Sequence, residues 1–245
     1  MTRVLFLLLL WGWASDRDVL AQLNYGSDRA INQTVEATVS LIDFSFDGSD
    51  SEEPAFDFNE PAYGLAYARP GFLARFARGT QGSGDESLTL TDFLITASGA
   101  WRPWSRSQGS GIQPTIPLGV HSGYRRVSRD EDRGTFDAFE FTTLALGAGL
   151  GAEAQGARAQ WLVRVIPMIG IAQRSLGSDT GSSTMLDANT RLTLGPLNDQ
   201  FGISFGYGFR WQAWDVDASD FNEAATNDTF DYTGTMHTFR IGILF

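Results

Sequence analysis

The side chains able to do chemistry are few. Histidine occurs twice, cysteine not at all, and all 18 basic residues are arginine. A hydrolytic centre needs a general base beside a nucleophile or an activated water, and histidine is the usual base. His121 falls on the polar face of its segment, whereas His237 falls on an apolar face. Ser122 follows His121 directly, but neighbours in an extended chain point to opposite sides, so the two do not pair. The sequence has no nucleophile elbow and no Asp–His cluster. No catalytic residue is therefore expected, and the chain is not read as an enzyme. Lack of cysteine removes disulfides, thiolate metal sites and cysteine nucleophiles. The acidic run Asp47-Gly48-Ser49-Asp50 lacks the ligand spacing and closing Glu of a calcium loop. Neither a metal nor a cofactor is expected.

What remains is charge on alternating segments. Arg75, Asp92, His121, Arg125, Glu140, Arg158, Arg164, Asp187, Arg191, Arg210 and Arg240 all fall on the polar faces of segments whose other faces are apolar. If these faces enclose a lumen, two uses are open. The charges pair into an internal network that fills and plugs it, since unpaired charge in a confined interior is costly. Alternatively, the surplus of arginine lines a pore that tolerates anions.

The elements that would position these residues are strands. After residue 34, aromatic and β-branched residues alternate with glycine and polar residues, interrupted at intervals by Gly, Ser, Asp and Asn clusters. The reading gives ten strands, near 36–46, 62–69, 71–79, 88–99, 114–126, 135–148, 157–174, 184–194, 200–214 and 232–245, with eight or twelve as alternatives. Along 200–214, Phe201, Ile203, Phe205, Tyr207, Phe209 and Trp211 form one face and Gly202, Ser204, Gly206, Gly208, Arg210 and Gln212 the other. Pro167 is a misfit in the middle of a paired strand, and a bulge is expected there. A soluble sandwich alternates too. The aromatic load at strand ends and the glycines on the polar face favour a small closed antiparallel barrel that crosses a membrane.

The N-terminal segment agrees. Residues 1–21 read as a signal peptide: Arg3, then the apolar run Val4–Leu10, then Val19-Leu20-Ala21 as a processing region. That run is too short for a spanning helix, which needs about 20 residues. Residues 22–245 are then one barrel domain. With 29 acidic residues against 18 basic ones, net −11, the chain offers no footprint for nucleic acid.

The chain ends Phe239-Arg240-Ile241-Gly242-Ile243-Leu244-Phe245. With Phe239, Ile241, Ile243 and Phe245 alternating up to a terminal aromatic, it resembles bacterial outer-membrane β-barrel proteins, and in overall look the OmpA/OmpX-like superfamily. The resemblance implies residence in the outer-membrane lipid. It also implies that these four residues are the signal read by the barrel-assembly machinery. A start in the periplasm puts the gaps near 47–60, 79–87, 127–134, 175–184 and 215–231 outside. Together these hold 16 more acidic than basic residues, so a surface ligand could be met by acidic loops. The function expected is structural, in the envelope or in adhesion. A narrow channel for small solutes or anions is the alternative, and a barrel hydrolase is a weaker one.

Overall fold

The computed structural model describes residues 33–48, 56–82, 87–103, 111–129, 138–156, 158–174, 180–195, 201–217 and 229–245. The signal-peptide reading of residues 1–21 lies outside them, as does most of each long acidic segment. The described residues are strand almost throughout: β1 (Thr34–Gly48), β2 (Phe56–Phe58), β3 (Pro61–Arg69), β4 (Phe72–Gln81), β5 (Leu88–Trp101), β6 (Ile112–Arg129), β7 (Ala138–Ala148), β8 (Leu150–Gln155), β9 (Ala159–Arg174), β10 (Thr180–Leu194), β11 (Gly202–Asp217) and β12 (Thr229–Leu244).

Every pairing is antiparallel, and the sheet closes on itself. β12 pairs with β1, and β9 with β10. Two of the breaks are interruptions within a single strand. β2 and β3 pair with β1 in one continuous register, Phe44↔Phe58 and Leu41↔Pro61. Between them, the side chain of Gln81 stands in for the ladder: its Oε1 accepts from the Asn59 amide at 2.6 Å, and its Nε2 donates to the Asp57 carbonyl at 3.1 Å. β7 and β8 likewise share one register against β6 and β9. The result is a closed barrel of ten strands.

Two prolines explain the second break. The Gly149 amide donates to the Pro117 carbonyl at 2.9 Å, so Gly149 faces β6 and its neighbour Ala148 faces β9. The registers put Pro117 opposite Gly149 and Pro167 opposite Ala148. Neither proline has an N–H to return. Two successive carbonyls of this strand thus lose their ladder donors. The bulge expected at Pro167 is absent: register is the same on both sides of it, from Phe141↔Arg174 to Leu150↔Val165.

An even strand count returns the chain to its starting end. Gln33 and Phe245 exchange backbone hydrogen bonds there, at 2.9 and 3.1 Å. The tight turn between β3 and β4 lies at the same end, where Gly71 adopts φ 75°, a conformation favouring glycine.

Strands run further than the alternation foretold, mainly at the opposite end. β1 continues to Gly48, β6 to Arg129, and β12 starts at Thr229. At 15 to 18 residues these strands exceed the roughly 9–11 that cross a bilayer.

Candidate functional site

The interior and exterior of this cylinder change character along its axis. At the terminal end, where Gln33 meets Phe245, and through the middle, the outside is apolar. Val35, Val39 and Leu41 on β1, Leu65 on β3, Ile169 and Ile171 on β9, Phe205 on β11, and Phe239, Ile241 and Ile243 on β12 all stand exposed, Ile169 at 70%. Aromatics rim this band at the terminal end: Trp101, Trp161, Phe201 and Phe245. Tyr67 is there too, its hydroxyl donating to Gln33 Oε1 at 3.0 Å. An apolar exterior bordered by aromatics is that of a barrel set in lipid. Arg at Phe205 should therefore cost about 2–4 kcal/mol, as a lipid-facing charge near the midplane does. Unfolding of the Phe205→Arg variant in lipid or detergent checks it, and an unchanged midpoint would remove Phe205 from the lipid face.

Towards the loop end the outside turns polar, with Asp43, Arg78, Thr80, Arg126 and Thr233 exposed. The inside there is apolar. Phe44, Phe58, Leu90, Val127, Phe141, Trp214 and Tyr232 are all buried, in one cluster. Tyr232 stacks on Trp214 with ring centres 4.1 Å apart and meets Phe44 at 5.4 Å; Phe44 stacks on Phe58 at 5.9 Å, and Trp214 meets Phe141 at 5.4 Å. Phe58, between the acidic residues Asp57 and Glu60, is one of the fully enclosed rings. This part of the cylinder is built like a soluble barrel, with water outside and a hydrophobic core within.

Beneath the aromatic cluster lies the charged layer. Asp92 on β5 accepts from Arg75 Nη2 at 2.7 Å and from Arg125 Nε at 3.0 Å. Arg125 also donates to the Tyr232 hydroxyl and lies over the Phe44 ring at 5.7 Å, joining the charged and aromatic layers. Arg75 Nη1 donates to Thr238 Oγ1 at 2.7 Å. Since β4 and β12 are separated by two strands, that bond crosses the lumen. Nearer the terminal end, Glu36 accepts from Arg191 Nη2 at 2.8 Å and from Ser204 Oγ at 2.9 Å, while Arg240 Nε stands 3.8 Å from its other oxygen, too far for a hydrogen bond. Arg210 meets Asp187 at 3.6 Å, and Arg164 reaches from β9 to Ser98 on β5. Arg102 and Glu153 pair at 2.7 Å near the terminal rim. A glycine makes room for this packing: a Cβ on Gly206 would lie 2.8 Å from Arg240 Nε.

Nine of the eleven charged positions read from the sequence thus face the interior: Arg75, Asp92, His121, Arg125, Arg164, Asp187, Arg191, Arg210 and Arg240. Two do not. Glu140 is on the outer face, opposite Arg126 in register, because its neighbour Phe141 is the one turned inward. Arg158 lies exposed before β9 starts, its carbonyl accepting from the Gly195 amide at 2.8 Å. His121 is buried at 1% exposure, and its Nδ1 has no hydrogen-bond partner among the described residues. His237 is on the outside, its Nδ1 2.7 Å from the Tyr207 hydroxyl. No group of three acidic or histidine residues able to hold a metal occurs among the described residues.

Two acids of these pairs were missed from sequence, Glu153 near the terminal rim and, deeper in the lumen, Glu36. The signal for Glu36 was present: Thr34, Glu36, Thr38 and Ser40 alternate with Val35, Ala37, Val39 and Leu41, which puts Glu36 among inward residues.

No protein-family model matches the chain, and no curated protein matches it. Solved structures do. The translocator domain of the autotransporter NalP from Neisseria meningitidis aligns over 100% of this chain and 97% of its own, at 12% identity and TM-score 0.34. The toluene transporter TbuX of Ralstonia pickettii aligns over 87% and 90%, at 9% identity and TM-score 0.27. The attachment invasion locus protein Ail of Yersinia pestis aligns over 87% and 99%, at 8% identity and TM-score 0.23. Likeness at this level does not single out a relative or a role. The closed ten-stranded sheet, with its apolar band outside and its charges within, makes the protein a transmembrane β-barrel of the outer-membrane type.

Proposed function

We propose that the protein is an outer-membrane barrel that closes its own lumen and carries acidic segments at the cell surface, with a role in envelope structure or adhesion. One observation carries this reading: the aromatic cluster around Trp214 and Tyr232 lies directly over the charged layer, so two filled layers stand in series across the lumen. Ion-paired or aromatic, each layer would have to be dismantled before a solute passed. The acidic segments leave the polar end, and Gln33 meets Phe245 at the other. The reading puts the acidic end outside and makes Phe239, Ile241, Ile243 and Phe245 the strand taken by the assembly machinery. It assigns no catalytic residue.

A narrow anion channel is the second reading. Its support is the count among the described residues inside the barrel, the Arg102–Glu153 pair at the rim set aside: six arginines, Arg75, Arg125, Arg164, Arg191, Arg210 and Arg240, against three acids, Glu36, Asp92 and Asp187.

One expression experiment separates the two. The full chain and a chain lacking Phe245 are produced in a Gram-negative host, and the outer-membrane fraction is purified and added to planar bilayers. The expected result is no unitary conductance from the full chain and much less protein in the membrane without Phe245. Stable anion-selective steps would replace the closed-barrel reading with the channel. Equal membrane levels of the two chains would remove the terminal strand as the signal.

A further inference from the structure

Four arginines converge on one small cavity in the charged layer. Arg75, Arg164, Arg210 and Arg240 line it, and Asp187 is the single acid on its wall. Its volume is about 20 Å³, room for one particle the size of a water molecule. Each of the four guanidinium groups has a buried Nε with no hydrogen-bond acceptor among the described residues, and Arg240 has a buried Nη2 in the same condition. Arg75, Arg210 and Arg240 are 5%, 8% and 6% exposed, so bulk water does not reach them freely.

The acids nearby do not balance them. Asp92 takes Arg75 and Arg125, and Asp187 is the partner of Arg210. Glu36 takes Arg191 and Ser204 with one oxygen, and its other oxygen, 3.8 Å from Arg240 Nε, is the one carboxylate partner of Arg240 among the described ion pairs. Arg164 rests on a neutral hydroxyl, that of Ser98. Positive charge therefore exceeds negative charge in a narrow, largely desolvated space, an arrangement that burial penalises heavily unless it is compensated. Water alone can satisfy an N–H but does not offset its charge.

We infer that this cavity is a binding site for a small inorganic monoanion of chloride size, held by Arg164, Arg210 and Arg240 as a resident ion. Guanidinium N–H groups are suited to such an ion, being donors with fixed positive charge. The small cavity favours a halide over sulfate, phosphate and organic acids, and the arginine wall repels cations. The site is independent of whether the barrel conducts, because a resident ion needs no path through the aromatic layer.

The test uses the folded full chain in detergent. Its thermal unfolding midpoint is followed as sodium bromide replaces sodium gluconate at constant ionic strength, gluconate being too large for the cavity. A ligand bound only by the folded state raises the midpoint in a saturable way. The expected result is a rise of several degrees that levels off. Arg164→Gln should flatten the curve, and Arg78→Gln on the outer face should leave it intact. Coincident curves in bromide and gluconate would overturn the inference and leave water alone in the cavity. A rise without saturation would also overturn it, as a general salt effect. If Arg164→Gln does not fold, anomalous scattering from crystals grown in bromide decides: a peak between Arg164, Arg210 and Arg240 supports the site, and its absence sinks it.

Discussion

Replacing Asp92 with alanine is expected to destabilise the barrel by about 3–5 kcal/mol, the cost of stripping one partner from a buried ion pair. Asp92 is the only acid that meets both Arg75 and Arg125 among the described ion pairs, and all three are at most 7% exposed on the side chain. Without it, two guanidinium groups face each other across a dry gap. The effect should be read from denaturant midpoints with the slope unchanged, which marks lost stability rather than a changed unfolded state. Adding Arg125→Met to Asp92→Ala should recover part of the loss, since it removes one uncompensated charge. If Asp92→Ala alone unfolds at the wild-type midpoint, water reaches the layer and the plug is not dry.

The second large effect is expected at Phe44. Its ring is 1% exposed and touches Phe58, Tyr232 and the Arg125 guanidinium. Phe44→Ala removes a ring from a close-packed core, at about 3–5 kcal/mol. The contrast with Phe205 is the useful part. Phe205 is 42% exposed on the lipid face, so its ring leaves no enclosed cavity behind, and Phe205→Ala should cost much less than Phe44→Ala. Equal losses at the two positions, measured in the same detergent, would contradict the polarity inversion between the two ends of the cylinder.

That inversion also explains what could be read from the sequence. The rule that apolar residues face out located all ten barrel strands and the inward side of nine charged residues, because it holds wherever lipid lies outside. It fails beyond Leu41 on β1 and before Thr235 on β12, where the ladder continues but the polar side turns to solvent. The strand ends were therefore read short. Glu140 was misplaced for the same reason: near the loop end, Phe141 is the inward residue and the charge is outside. The pairing of Asp92 with Arg75 and Arg125, and of Glu36 with Arg191, depends on which residues stand at the same height across the lumen. That height is set by stagger between non-adjacent strands, and alternation within one strand carries no information on it. Phe58 shows the converse limit. Its neighbours are acidic, so composition reads the stretch as solvated loop, yet a three-residue extension of β3 carries the ring inside.

The part of the barrel with a hydrophobic core is a pedestal. On β12 the outward residues Thr233 and Thr235 are polar, and the strand continues to Thr229; six steps of about 3.3 Å each, tilted by some 40°, raise its end about 15 Å above Thr235. Screening at physiological salt extends about 8 Å. The rim from which the acidic segments depart therefore stands beyond the reach of headgroup charges. In the proposed orientation, a chain of net −11 would carry its acidic segments clear of an anionic leaflet. Membrane association should accordingly vary little with ionic strength, whereas encounters between those segments and a soluble partner should vary strongly.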